Sequence, residues 1–188
     1  MPSGKKTIIG IIGTIGSGKD TAALYISERL QIPTFQISQV LKDIAKERGI
    51  EPIRENLIAL GSDLVKEKGS GFLSELALDR IEGDKGIITG IRVPDVIEYF
   101  KYNSHFILLT TEADPEIRFQ RSTARNKLGE AGSLEEFLEN EKRENSPPNA
   151  QRLFECLEQA DYTISNNSDL ASFHEKIDLF LEKNKLLI

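Results

Sequence analysis

The chain has 188 residues and a net charge of −6, from 30 acidic and 24 basic side chains. That length suits one domain burying about two-thirds of its unfolded surface, and the acidic balance argues against a surface that neutralises a nucleic-acid backbone. One cysteine, Cys156, excludes an intramolecular disulfide and a cysteine-based zinc site, and points to a reducing, cytoplasmic setting. No apolar stretch approaches the roughly 18 residues of a membrane span. Met1 to Lys6 lead into a short apolar strand, so they do not read as a signal peptide. Neither repeats nor a linker divide the chain.

Thr7 to Ile12 reads as a strand apolar on both faces, as a central parallel strand is. It runs into Gly13-Thr14-Ile15-Gly16-Ser17-Gly18-Lys19, followed by a helix to Leu30 with Ala22, Ala23, Tyr25, Ile26 and Leu30 on its apolar side. G-x-x-x-x-G-K between a strand and a helix is the spacing of a phosphate-cradling loop. Its glycines let successive N–H groups point inward, the helix start adds positive charge, and Lys19 supplies a mobile cation for the outer phosphates. The pattern places Ser or Thr after the lysine, to hold magnesium; here Asp20 stands there, with Thr21 behind it.

Pro33 to Ile37 is a short second strand, and Ser38 is expected to cap a helix through Val40, Leu41, Ile44 and Ala45 that closes at Gly49. A helix from Pro52 carries Leu57, Leu60, Leu64 and Val65 as far as Gly69, and another runs from Phe72 to Ile81. Gly86 to Gly90 is a third buried strand, followed by a helix from Pro94 with Val96, Ile97 and Phe100. Strand four is His105 to Thr110. Asp114-Pro115 opens a helix to about Lys127. Leu134 to Arg143 reads as a charged helix, broken at Asn145 to Asn149. A short helix to Gln159, strand five at Asp161 to Ser165 and an amphipathic helix from Leu170 to about Lys185 complete the chain. Alternating strands and helices predict an α/β three-layer sandwich, a parallel sheet covered on both faces. Ligands in such sheets sit beyond the carboxyl ends of the strands.

The end of strand two, Ile37-Ser38-Gln39, and the helix after it face the mouth of that site, and two basic features add to it. Gly90-Ile91-Arg92 follows strand three, where an arginine can grip a substrate phosphate or, alternatively, cap the loop or pair with Asp95. Arg118, Arg121 and Arg125 share one helical face, with Lys127, Lys142, Arg143 and Arg152 in the surrounding segment. Such a stripe either pairs with Glu116, Glu135 or Glu139 at the surface or forms a lid that neutralises a transferred phosphoryl group; Arg121 and Arg125 are the preferred pair. Glu141 and Glu144 read as a solvated face, His105 and His174 as structural, and Cys156 as a buried small residue.

Together these residues resemble the small P-loop kinases that phosphorylate metabolites, across almost the whole chain. Gly13 to Lys19 and the tail Ala160-Asp161-Tyr162-Thr163-Ile164-Ser165-Asn166-Asn167 are similar to dephospho-CoA kinases; the resemblance puts Asn166 and Asn167 near the adenine of ATP. Ile37 to Lys42, with Ser38 and Gln39, and Gly90-Ile91-Arg92 look like the acceptor-binding helix and strand-three turn of nucleoside monophosphate kinases. Gly18-Lys19-Asp20-Thr21 is also similar to the loops of phage deoxynucleotide kinases and phosphomevalonate kinases. Two motifs of these families differ here: no Asp-x-Asp follows strand two, and strand three ends Ile88-Thr89-Gly90 without an acid. The resemblance implies a single domain over 1–188 with a five-stranded parallel sheet of order 2-3-1-4-5. It also implies an acceptor-binding segment at about 38–82 and a lid at about 118–150.

It implies transfer from ATP–Mg²⁺ to a nucleotide-like acceptor, a (deoxy)nucleoside monophosphate or dephospho-CoA, by a monomer or homodimer without nucleic-acid or membrane partners. Gly13 to Thr21 and Arg121 would hold the nucleotide, Asp20 the magnesium, Ser38, Gln39 and Arg92 the acceptor, and Lys19, Arg92, Arg121 and Arg125 would act in catalysis. A nucleotide-dependent switch without an acceptor remains the alternative of another class, and ATP and GTP both stay open as donor.

Overall fold

Ile8 and Ile12 of the first strand face one side of a sheet while Ile9 and Ile11 face the other, and all four are buried. This strand, β1 (Thr7–Ile12), is the centre of a computed structural model that describes residues 4–69, 71–124, 132–145 and 152–187, the Arg54 side chain excepted. β3 (Lys85–Thr89) pairs parallel to it on one side and β4 (His105–Glu112) on the other. β2 (Thr34–Gln36) and β5 (Tyr162–Ser165) form the edges, giving the order β2-β3-β1-β4-β5, parallel throughout.

On one face α1 (Lys19–Leu30) and α9 (Leu170–Lys183) bury Ala22, Ile26, Phe173 and Ile177 against Ile9, Ile11, Ile87 and Leu109. On the other, α2 (Ile37–Glu47), α4 (Phe72–Asp79), α5 (Pro94–Asn103) and α8 (Leu153–Leu157) pack Val40, Ala77, Ile97 and Cys156 over Ile8, Ile88 and Leu108. α3 (Arg54–Lys68) packs on α2 and α4. Its Leu60 and Leu64 join Ala45 in a satellite cluster between helices. The predicted three-layer α/β sandwich and strand order are those observed.

Two helix starts differ from expectation. Ser38 does not cap α2: the helix begins at Ile37, with Gln36 at the cap and no side-chain bond there, because the helix follows the last residue of β2 directly. α3 starts two residues after Pro52, at Arg54. α6 (Pro115–Ala124) opens at the Asp114-Pro115 pair as predicted, the Arg118 N–H closing its first turn on Asp114 O at 3.0 Å. α7 (Leu134–Glu144) lies against it, Phe137 buried with its ring 5.8 Å from that of Phe119.

The parallel register brings every strand end to one edge of the sheet. Ile11 lies opposite Thr89, Ile12 opposite Thr110, Gln36 opposite Thr89 and Glu112 opposite Ser165. The segments that follow, 13–20, 37–39, 90–92, 113–121 and 166–167, therefore cluster at that edge.

Candidate phosphate-binding site

Between β1 and α1 the backbone turns over six residues, 13–18, and their carbonyl groups are held from behind. Ile15 O accepts from Arg118 Nη1 at 3.2 Å, Gly16 O from Arg121 Nη1 at 3.4 Å, and Ser17 O from Asn166 Nδ2 at 2.9 Å. Across a trans peptide the N–H points opposite to the C=O. Tying three successive carbonyls toward α6 and the end of β5 thus turns the Gly16 and Gly18 amides the other way. The Ser17 N–H closes a turn on Thr14 O at 3.2 Å. The first helical bond of α1 is Ala22 N–H to Gly18 O at 2.9 Å, leaving the amides of residues 19–21 as the helix's free N-terminal donors. The ties therefore turn a set of N–H groups away from α6, an arrangement suited to an anion.

The rear wall is built from α6 and the turn after β5. Arg118, which the sequence suggested as part of a stripe over the ligand, is 6% exposed and lies behind the loop instead. Its Nε donates to Ala113 O at 3.1 Å, its Nη1 is shared between Ile15 O and Glu141 Oε1 at 2.6 Å, and its guanidinium lies 5.5 Å from the Phe137 ring centre. Glu141 is itself 7% exposed, so it is no solvated carboxylate. Helix α7, charged along most of its length, turns this one glutamate inward with Phe137 one turn before it. Arg121 Nη2 reaches Asn166 Oδ1 at 3.5 Å, so Asn166 bridges an arginine and the loop. Asn167 accepts from the Asp114 N–H and donates to Asp114 Oδ1, both at 2.8 Å, fixing the β5–α9 turn to the start of α6.

The remaining predicted residues lie around this edge. Gly13 and Ser17 are buried, the Ser17 hydroxyl sharing a 2.9 Å hydrogen bond with Thr111 of β4, while Thr14 is half-buried and Ile15 exposed. Lys19 Nζ stands 3.5 Å from the Asp20 carboxylate, their side chains 24% and 63% exposed. Thr21 is half-buried in the first turn of α1. Ser38 is half-buried in α2, and Gln39 spends its amide on Asp43 at 2.8 Å. Arg92 is half-buried beyond Gly90, and its carbonyl accepts from the Arg152 N–H at 2.8 Å. Asp95, its alternative partner, is bound by Arg152 at 3.1 Å. Arg125 lies outside the described residues.

His174 stacks on Tyr25 with ring centres 3.8 Å apart, a contact between α1 and α9, so it does have a neighbour that the sequence did not reveal. Cys156 is fully buried, and burial pushes its thiol up to about 12. At pH 8 only about one such thiol in ten thousand is ionised, and only the thiolate is nucleophilic. Native protein should therefore resist a disulfide reagent at pH 8 and react with one equivalent in denaturant, as read by thiol absorbance; rapid native labelling would contradict this burial.

A family model described as "AAA domain" matches residues 9–145, most of the chain and all of the phosphate loop. The chain belongs to the AAA domain family. This AAA domain is similar to a UPF0200/UPF0201 protein of Archaeoglobus fulgidus, 31% identical over 183 residues that cover 94% of this chain and 55% of that protein. The chain thus spans about half the length of that relative. It is also similar to the UPF0200 protein PH1008 of Pyrococcus horikoshii, 29% identical over 184 residues, 94% of this chain and 96% of the relative. Among solved structures, shikimate kinase from Bacteroides thetaiotaomicron has the same fold, with a TM-score of 0.57 at 15% identity over 95% of this chain and 98% of that one. No helix among the described residues is long and apolar enough to cross a membrane.

Proposed function

We propose that this protein is a phosphotransferase that moves the γ-phosphoryl group of ATP to a small nucleotide-like acceptor, a (deoxy)nucleoside monophosphate first among them. One observation carries the reading: a loop whose three tied carbonyls leave amides facing away from α6, with the Lys19 cation at the start of the helix. The shared fold of shikimate kinase, whose acceptor is also a small molecule, supports it. The whole of 1–188 would act as one domain, with 38–82 receiving the acceptor and 118–150 covering the donor.

The chain contributes position and charge rather than a covalent nucleophile. The amides of Gly16, of Gly18 and of residues 19–21 would hold the β- and γ-phosphates, and Lys19 would follow the charge onto the transferred group. Arg92, beyond β3, would hold the acceptor's phosphate with Ser38 and Gln39 beside it. Arg125 from the lid, and Arg121 from beside the loop where it holds Gly16 O, would neutralise charge on the donor, and Asn166 and Asn167 would lie toward the base.

Among the described residues no group of three side chains forms a metal site. Magnesium needs none here, since it keeps several waters and takes phosphate oxygens with one or two carboxylates. Asp20, exposed in the first turn beside Lys19, is such a carboxylate and fits it. When bound, the ion would offset negative charge on the phosphates. Asp20→Ala, which leaves no ligand at this position, should raise the magnesium concentration for half-maximal turnover about tenfold or more. An unchanged magnesium titration and turnover would remove Asp20 from the role.

Two other readings have specific support. The resemblance of Ala160 to Asn167 favours dephospho-CoA as acceptor. The Thr89-Gly90 end of β3, which carries no carboxylate, favours a nucleotide-dependent switch. Incubation with ATP–Mg²⁺ and a panel of nucleoside monophosphates, dephospho-CoA and shikimate separates them. ADP formed with one acceptor names the enzyme; slow ADP formation independent of any acceptor supports the switch and rejects the kinase.

A further inference from the structure

A phosphate loop works only while its carbonyl oxygens face away from the anion, because a carbonyl turned inward presents negative charge to negative charge. Here the orientation is imposed from outside the loop. Ile15 O is held by Arg118, and Arg118 is held in turn by Glu141, which comes from a different helix 23 residues further along the chain. The guanidinium spends Nε on Ala113 O, at the end of β4, and Nη1 on both Ile15 O and Glu141. With side chains only 8% and 7% exposed, the two charges have little water to turn to. The loop also rests directly on this residue: a Cβ on Gly16 would stand 2.5 Å from Arg118 O and 2.8 Å from its Cα.

We propose that Glu141 is a positioning residue for nucleotide binding: acting through Arg118, it keeps the Ile15 carbonyl turned out and the Gly16 amide turned toward the phosphates. Helix α7, which acts on the loop through Arg118, thereby sets the loop's affinity for polyphosphate. This rests on the reading of 13–21 as a nucleotide loop. Without the Glu141 carboxylate the buried guanidinium lacks its counter-charge and swings toward other acceptors, releasing Ile15 O.

A purely stabilising ion pair behaves differently, and that difference makes the test. Replacing both members of a buried pair by apolar residues of similar size is often neutral or stabilising, whereas removing one is destabilising. The double variant Arg118→Met/Glu141→Leu should therefore keep a melting temperature near the wild type while losing its donor to Ile15 O. Equilibrium binding of ATP and of inorganic triphosphate, without turnover, reads the consequence. The expected result is a loss of about tenfold in affinity for both ligands in a well-folded double variant, the size of one charge-assisted hydrogen bond.

Glu141→Gln is the second variant, nearly the same in shape and still an acceptor, and it should show the same loss at a temperature well below its melting point. Wild-type affinity in a folded Glu141→Gln, or in a folded double variant, overturns the proposal. A wild-type protein that binds neither ATP nor triphosphate rejects the nucleotide-loop reading itself, a different failure.

Discussion

Lys19→Ala is expected to abolish phosphoryl transfer while leaving the protein folded. Its side chain is 24% exposed, and its one described ion pair is with Asp20, 3.5 Å away, whose side chain is 63% exposed. Pairs with a solvent-exposed partner contribute roughly 0–1 kcal/mol, less in salt, so losing this one should shift melting by no more than about 2–4 °C. Chemistry is another matter. In the proposed transfer Lys19, the charged side chain that begins α1 beside the free amides of its first turn, would meet the charge that builds up on the transferred group. Loss of a single transition-state donor costs about 10²–10³ in rate, and loss of a full cation in phosphoryl transfer about 10³–10⁵. Turnover with the acceptor found in the panel should therefore fall at least about a thousandfold. ADP release and a thermal melt on the same preparation check both halves; a folded variant with full activity would sink the phosphotransferase assignment.

The sequence disclosed what depends on neighbours in the chain. Thr7 to Lys19 is legible because an apolar strand, a glycine-spaced turn and a helix start are all local features, and alternation of strands with helices led to the parallel sheet. The strand-end rule then singled out the segments after β1, β2 and β3, which the register does bring to one edge. What escaped is the rear wall. Helical spacing placed Arg118 and Arg121 on one stripe correctly, but spacing says nothing about which side of the phosphates the stripe occupies. That is decided by α7 landing on α6, through Phe137, Phe119 and Glu141. Nothing local marks Glu141 among Glu135, Glu136, Glu139 and Glu144, except that it stands four residues after Phe137, the apolar anchor of an otherwise charged helix. That i, i+4 relation to an inward aromatic was the available signal. Nor does anything local disclose that the Asn166 amide nitrogen serves Ser17 O, 149 residues away in the chain.

Gly16→Ala is the second change expected to be severe, and it separates local strain from crowding. Gly16 has φ +81°, which costs a residue with a Cβ about 1–2 kcal/mol relative to glycine. Gly83, in the exposed turn before β3, has the same φ of +81°, but a Cβ there would meet no other atom within 4 Å. Alanine at Gly83 should therefore cost only the conformational term and leave nucleotide affinity unchanged. At Gly16 the new methyl meets the Arg118 backbone at 2.5 Å and 2.8 Å, and a helix backbone cannot yield as a side-chain tip can. Overpacking of this kind adds about 1–3 kcal/mol. The cheapest relief is for the loop to lift off α6, which breaks the bonds from Arg118 to Ile15 O and from Arg121 to Gly16 O together. Affinity for ATP should then fall about a hundredfold, two charge-assisted bonds' worth, while the Gly83→Ala protein melts slightly early and binds normally. Equal affinities in the two variants would mean that the loop's fit against α6 has no bearing on its hold on the nucleotide.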